Sequence, residues 1–397
     1  MHGIIEISVR EHLLEVLCCP WCQGQLALTT GACRRKEEIA EGSLACFGCG
    51  SSYPIQAGIP RLLPGGHSSA VQAAFTRQWR LRRSGRFEEP QWLYGSPHEE
   101  RAAALACRLG GARGGGEPAW VLDAGCGTGE LAAALAAHHP DLQIVALDFS
   151  DDLATMPSAP PNLHLVQGDV CRPPLRAGSC AAVYSLGVLH HTADTRAAFA
   201  AVARLVRPGG VLSIWLYPHP AELAEMPHGE GRWMRLYYQL RDRVFLGLAH
   251  HLPPGVLLAL LYLILLPVRV APLPRHRPGL RRSRRSLHRA LVFVLYDGLC
   301  PEHQHRHRRS EVAGWFREEG FQRLVAGPAK SPPHTLGSFT AWRRGGSGPS
   351  VVSGPEPQEE RDRHQHHDRA LDRHECVSVV RPREEDGPKT GGGDQER

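Results

Sequence analysis

Between residues 119 and 217 the chain alternates short apolar runs with stretches rich in Ala and Leu. Trp120 to Asp123, Gln143 to Asp148, Leu163 to Gln167, Cys180 to Leu186 and Val211 to Tyr217 are nearly continuous in apolar residues. Runs of that length, bounded by Gly, Pro and Asp, predict strands buried on both faces. Gly129 opens a predicted helix over Glu130 to His138, and a second covers Asp194 to Val206. Strands that alternate with helices predict a parallel, doubly wound α/β sheet. A helical lead-in, Pro97 to Leu109, and a Gly-rich linker, Gly110 to Gly116, precede it. Further on, Ser310 to Glu319 reads as a helix with Ser310 as its N-cap. Phe321 to Leu324 and Leu336 to Trp342 read as two last strands that close the sheet antiparallel.

The remaining segments follow other patterns. Gly255 to Leu266 is GVLLALLYLILL, and Arg275 to Arg289 is RHRPGLRRSRRSLHR. From Gly345 onward the chain is polar, charged and rich in Gly, Pro and His without an apolar period, which predicts a disordered tail. The expected organisation is a front module at 1–65, a lead-in and linker at 66–118, a core at 119–217, a helical cap at 218–309, the end of the core at 310–344 and the tail at 345–397. The 42% of hydrophobic residues among 397 suffices for a large core, and the net charge of +6 is modest. No run reaches the roughly 18–20 apolar residues of a membrane-spanning helix. The first residues lack a basic region followed by an apolar one, so no signal peptide is expected and the location is expected to be cytoplasmic. In that compartment the twelve cysteines read as metal ligands rather than as a disulfide framework.

Two C-x-x-C pairs carry that reading. Cys19 and Cys22 flank Pro20-Trp21, and Cys46 and Cys49 flank Phe47-Gly48. Two residues between thiolates let a tight turn aim both sulfurs at one ion, and two such turns complete a closed tetrahedral site for structural zinc. Cys18 is an alternative to Cys19, and Cys33 lies in the loop between the pairs. Leu17 to Leu26, LCCPWCQGQL, and Cys46 to Pro64, CFGCGSSYPIQAGIPRLLP, resemble the small zinc-binding activators of tRNA and rRNA methyltransferases. The resemblance implies a zinc-ribbon-like docking or stabilising module and assigns it no catalysis.

Val121 to Gly129 reads VLDAGCGTG. A buried strand that ends in an acid and a glycine turn brings backbone up to a nucleotide-like ligand. Asp148, ending the second strand, is placed for ribose hydroxyls, and Asp169, after the third, for an adenine amino group. The spacing G-x-G-x-G differs from the G-x-G-x-x-G of dinucleotide folds and leaves no pyrophosphate signature. These features, with LDFS (Leu147 to Ser150), GDV (Gly168 to Val170), VYSLGVLHHT (Val183 to Thr192) and LVRPGGVLSIWLYP (Leu205 to Pro218), resemble the class I S-adenosylmethionine-dependent methyltransferases. Relatives carry an aromatic and an Asp before the fourth strand where this chain has Cys180-Ala181. The resemblance implies a seven-stranded Rossmann-like sheet and S-adenosylmethionine held by Asp123, Gly125, Cys126, Gly127, Gly129, Asp148, Phe149, Asp169, Val170 and Leu186.

The acceptor is written less sharply. From Arg243 to Tyr296 there is no Asp or Glu. An apolar helix beside a basic run can lie on an anionic membrane surface, here through 255–289, or line a greasy tunnel with a basic rim, or be a buried cap helix with a solvated loop. The arginine run has no interleaved aromatics to stack nucleic-acid bases. A base is needed only if the acceptor must lose a proton, and His191, Asp297 and His305 are the candidates. The expectation is methyl transfer to a small-molecule or lipid-like acceptor; RNA, docked through the zinc module, is the alternative.

Overall fold

The computed structural model describes residues 9–29, 33–35, 38–63, 69–88, 98–109, 119–155, 160–223, 241, 247, 249, 251–270, 284–327 and 337–345. The Gly-rich linker, the basic run before residue 284 and the tail beyond residue 345 lie outside these residues.

The core sheet is built from β7 (Ala119–Ala124), β8 (Leu142–Asp148), β9 (Leu163–Gly168), β10 (Cys180–Leu186), β11 (Val206–Trp215), β12 (Phe321–Ala326) and β13 (Ser338–Arg343). Their order is β9-β8-β7-β10-β11-β13-β12, with β9 through β11 parallel and β13 antiparallel to both neighbours. The order reverses direction between β7 and β10, so the carboxyl ends of those strands open a crevice for a ligand. The central strands are buried along almost their whole length, with Leu122, Val145, Val166 and Val183 all at 0% exposure. β11 begins at Val206, five residues before the expected Val211, because Val206 pairs with Cys180 ahead of a register shift.

Six further strands extend this sheet, so the expected separate module is continuous with the core. They are β1 (Val9–Arg10), β2 (Leu26–Leu28), β3 (Cys33–Arg35), β4 (Glu38–Cys46), β5 (Ser52–Gln56) and β6 (Ile59–Leu62). β6 pairs in parallel with β9 through Arg61 opposite Gln167 and Leu62 opposite Gly168. A second seam runs through the backbone, where Cys18 N donates to the Pro174 carbonyl (3.0 Å) and Arg176 N to the Val16 carbonyl (2.9 Å). Leu17, Leu44, Ile55 and Leu62 share one apolar cluster with Val145, Leu147 and Val166.

Helices cover the faces. α1 (Ser69–Arg83) and α2 (His98–Leu109) precede the core; α3 (Glu130–His138) and α4 (Thr195–Ala203) lie within it. Asp194 caps α4, its carboxylate accepting from Ala197 N at 3.0 Å. In the cap, α5 (Pro254–Ile264) and α6 (Arg284–Leu299) pack with α1 around Leu81, Phe87, Phe293 and Tyr296. α7 (Arg309–Glu318) starts one residue earlier than expected, with Arg308 and not Ser310 at the N-cap. Glu311 decides this, since its carboxylate accepts from Arg308 N at 3.2 Å.

Candidate functional site

Four thiols meet at the tip of the N-terminal module. The sulfurs of Cys19, Cys22, Cys46 and Cys49 all lie within 4.8 Å of one another. Cys19 Sγ is 3.6 Å from Cys49 Sγ, and Cys22 Sγ is 3.4 Å from Cys46 Sγ. A tetrahedral ion with metal–sulfur bonds of about 2.3 Å sets edges of about 3.8 Å, so the donor set fits structural zinc with small adjustment. Second contacts orient the sulfurs: Tyr53 Oη is 3.1 Å from Cys19 Sγ, and Gly48 N donates to Cys46 Sγ at 3.3 Å. Cys18 turns away, its thiol donating to Gln23 Oε1 at 3.3 Å, and Cys33 is exposed outside the cluster.

The glycine turn after β7 is held against the end of β8. Gly125 N and Cys126 N both donate to the Leu147 carbonyl, at 2.8 and 2.9 Å. Asp148 accepts from Gly127 N (2.8 Å) through Oδ2 and from Ser150 N (2.9 Å) through Oδ1. Burial pushes the Asp148 carboxyl upward, and those two N–H groups and Arg83 oppose it. Asp123 is more isolated: burial pushes its carboxyl up to about 8, against the pull of the Tyr184 hydroxyl. The glycines here also serve packing. Gly125 has φ +91° and a Cβ there would lie 2.4 Å from Val188 Cγ2; Gly127 has φ +57° and would meet the Trp79 ring at 2.9 Å. Both positive angles and the missing Cβ are required.

A cavity of about 500 Å³ opens at the strand ends. Gly125, Asp148, Phe149, Asp169 and Val170 line it. Of the other residues expected there, Asp123, Cys126, Gly127, Gly129 and Leu186 are not among its lining. Among the three candidate bases His191 lines the cavity, whereas Asp297 and His305 do not. Asp297 sits within α6 rather than on a loop, and both its oxygens are used, by Gln78 Nε2 (2.7 Å) and Tyr217 Oη (2.9 Å). His305 donates its backbone N–H to the His190 carbonyl at 2.9 Å. His191 Nδ1 lies 3.0 Å from the His303 carbonyl, an acceptor only, so that nitrogen carries the proton and Nε2 keeps its lone pair. Burial lowers the His191 pKa below the ordinary histidine value, against the opposing field of Asp297.

The rest of the wall was not expected. Phe75 and Trp79 come from α1, Trp21 from between two of the clustered cysteines, and Arg172 and His303 from loops. Arg172 stacks on Trp21 with its guanidinium carbon 5.0 Å from the ring centre. Val71, Phe75 and Trp79 recur every fourth residue, which puts them on one helical face. That spacing is the signal by which α1 could have been assigned to the site. The indole Nε1 of Trp79 is buried without a hydrogen-bond partner among the described residues. An orphan donor, two acids and an aromatic wall suit a ligand that joins a nucleoside to an apolar or sulfur-bearing arm. S-adenosylmethionine has that chemistry.

This fold and site are those expected of a methyltransferase domain behind a zinc-binding front module. Residues 122–214 match the family described as "Methyltransferase domain", and residues 10–58 match "Trm112p-like protein". A malonyl-[acyl-carrier protein] O-methyltransferase from a Methylovorus species is 34% identical over 105 residues, 24% of this chain and 36% of its own length. A trans-aconitate 2-methyltransferase from Deinococcus radiodurans is 37% identical over 98 residues, again 24% of this chain and 37% of its own. The chain thus spans a little over a third of the length of these relatives. A solved complex of the Haloferax volcanii Trm112 methyltransferase activator with a putative methyltransferase is 15% identical, with a TM-score of 0.37 over 70% of this chain and all of that one.

Proposed function

We propose that this chain transfers a methyl group from S-adenosylmethionine to a small-molecule or lipid-like acceptor. The observation that carries the proposal is the one cavity that brings Gly125, Asp148 and Asp169 together with His191 under an aromatic wall. Bound S-adenosylmethionine supplies a sulfonium methyl that a nucleophile displaces in line. In this reading Asp148 accepts from the ribose hydroxyls, and Asp169 and Val170 hold the adenine edge. Phe75, Phe149 and Val188 exclude water from the reacting end. Neutral His191, with its tautomer set by the His303 carbonyl, takes the acceptor's proton at Nε2. The relative named for methylation of trans-aconitate supports a small acceptor, and the other is named for a malonyl group borne on an acyl-carrier protein.

A second reading, methylation of RNA, is favoured by the Trm112p-like module. Incubation with methyl-labelled S-adenosylmethionine and a cell extract, followed by fractionation, separates the two. Label is expected in the lipid or small-molecule fraction, and label confined to RNA would overturn the first reading. A pH profile tests the base. Because burial lowers the His191 pKa, the base remains neutral as pH falls through 6.5, so the acidic limb of kcat is expected below that value. A limb that stays unchanged in His191→Asn would remove this residue from the proton path.

A further inference from the structure

The cap carries a surface that methyl transfer does not use. Eight large apolar side chains are exposed among the described residues, and five of them, Val256, Leu260, Leu263, Ile264 and Leu266, fall within eleven residues of α5 and its end. Leu263 and Ile264 are the most open, at 64% and 68%. The opposite face of α5 is spoken for, since Leu257 and Leu261 pack into the cluster with α1 and α6. Along the sequence, the segment that contains α5 carries charge of one sign. Residues 243–296 hold nine arginines, no lysine and no acid. Arg269, Arg285 and Arg289 are exposed on the described helices nearby. No helix among the described residues is long and apolar enough to cross a membrane.

We propose that α5, with Arg269 beyond its end and Arg285 and Arg289 of α6, docks this protein on an anionic lipid surface, lying in the interface without crossing it. The side chains are aliphatic and exposed along one helix and its end, which suits insertion among acyl chains; the arginines stay at headgroup depth and pair with phosphates. A second copy of the chain would set Arg269, Arg285 and Arg289 against their own copies, which opposes self-association through this face. An acceptor partitioned into that surface would meet an enzyme already held there: Tyr262 and Gly255 of α5 reach Arg86 O and Arg77, at the end and on the outer side of α1, whose Phe75 and Trp79 line the cavity.

Flotation of the full chain with vesicles tests this. Recovery with vesicles of phosphatidylcholine containing about a third phosphatidylglycerol is expected to exceed recovery with phosphatidylcholine alone at least tenfold, and to fall in high salt. The double variant Leu263→Ser/Ile264→Ser and the charge reversal Arg269→Glu/Arg285→Glu should each lose most of it. Both alter exposed side chains, so thermal melts should match the parent. No flotation on anionic vesicles would overturn the proposal, as would equal recovery of parent and both variants. So would a concentration-dependent dimer in ultracentrifugation that the serine variant abolishes, because that result assigns the face to a second copy.

Discussion

The N-terminal module and the cap each give the cavity part of its wall, Trp21 from one and His303 from the other, yet they join the core by different means. The module is fused through backbone: β6 adds to β9, and Cys18, Val16, Pro174 and Arg176 bond main chain to main chain. The cap has shorter backbone links, His305 N to the His190 carbonyl and His307 N to the Tyr217 carbonyl, and adds side-chain contacts: Asp297 with Gln78 and Tyr217, Tyr262 with the Arg86 carbonyl, and the apolar cluster around Phe293 and Tyr296. Backbone pairing tolerates little geometric change, whereas packed side chains can be exchanged for others of like volume. The first arrangement suits a shared fold, and the second tolerates more change in the cap.

The largest way to break that contrast is to remove the zinc site. Cys46→Ser should lose the ion and, because the module shares a sheet and core with the methyltransferase domain, destabilise both. A loss of about 4 kcal/mol would lower the melting temperature by roughly 10 °C. Metal analysis and calorimetry check it. A separate early transition, with the main one unmoved, would mean that module and core do not unfold together. Next in size is Asp148→Ala. It strips the acceptor from Gly127 N and Ser150 N and from the expected ribose contact. Charged hydrogen bonds contribute about 1.5–3 kcal/mol each, so affinity for S-adenosylhomocysteine should fall at least about a hundredfold. An unchanged dissociation constant by calorimetry would refute the ribose assignment.

Trp21→Ala sharpens the comparison further, since it separates the module's contribution to the cavity from its contribution to the fold. The side chain is 59% exposed and stacks with Arg172 at the rim. Zinc content and melting temperature should hold, while cofactor or acceptor affinity falls about tenfold, the scale of one lost aromatic contact. Loss of zinc in this variant would reduce Trp21 to a structural part of the knuckle. Phe47→Ala, which removes the exposed aromatic between the other two cysteines and is absent from the cavity lining, is the control.

How far the sequence could be read follows the same division. Cys19, Cys22, Cys46 and Cys49, the glycine turn and the acids at strand ends are required by residue-specific chemistry, so spacing exposes them. The places of the strands along the chain were legible because buried parallel strands must be apolar throughout. The joining of β6 to β9 was not, since Ile59 to Leu62 reads alike as a strand of the module or an edge of the core. Nor was the place of Asp297: a Tyr-Asp pair ahead of a histidine run looks catalytic, and only the fold shows its carboxylate spanning Gln78 and Tyr217. His303 escaped because it acts through a main-chain carbonyl, which every residue has.

The smallest effect tests a choice that the sequence left open between adjacent cysteines. Cys18 and Cys19 are both buried, at 1% and 0%, but their thiols face opposite ways. Cys19 Sγ faces Cys49 and Tyr53, whereas Cys18 Sγ reaches Gln23 Oε1, the side chain that also accepts from Arg204 at 3.0 Å. Cys18→Ala therefore removes one weak donor and little volume at the seam between module and core. It should cost about 1 kcal/mol or less and leave one zinc per chain. Cys19→Ala should behave as Cys46→Ser does. If the two variants exchanged behaviour, the backbone turn at Pro20 would have to place the other thiol on the metal. The seam at Pro174 and Arg176 would then shift by one residue, and with it the register that joins the two regions.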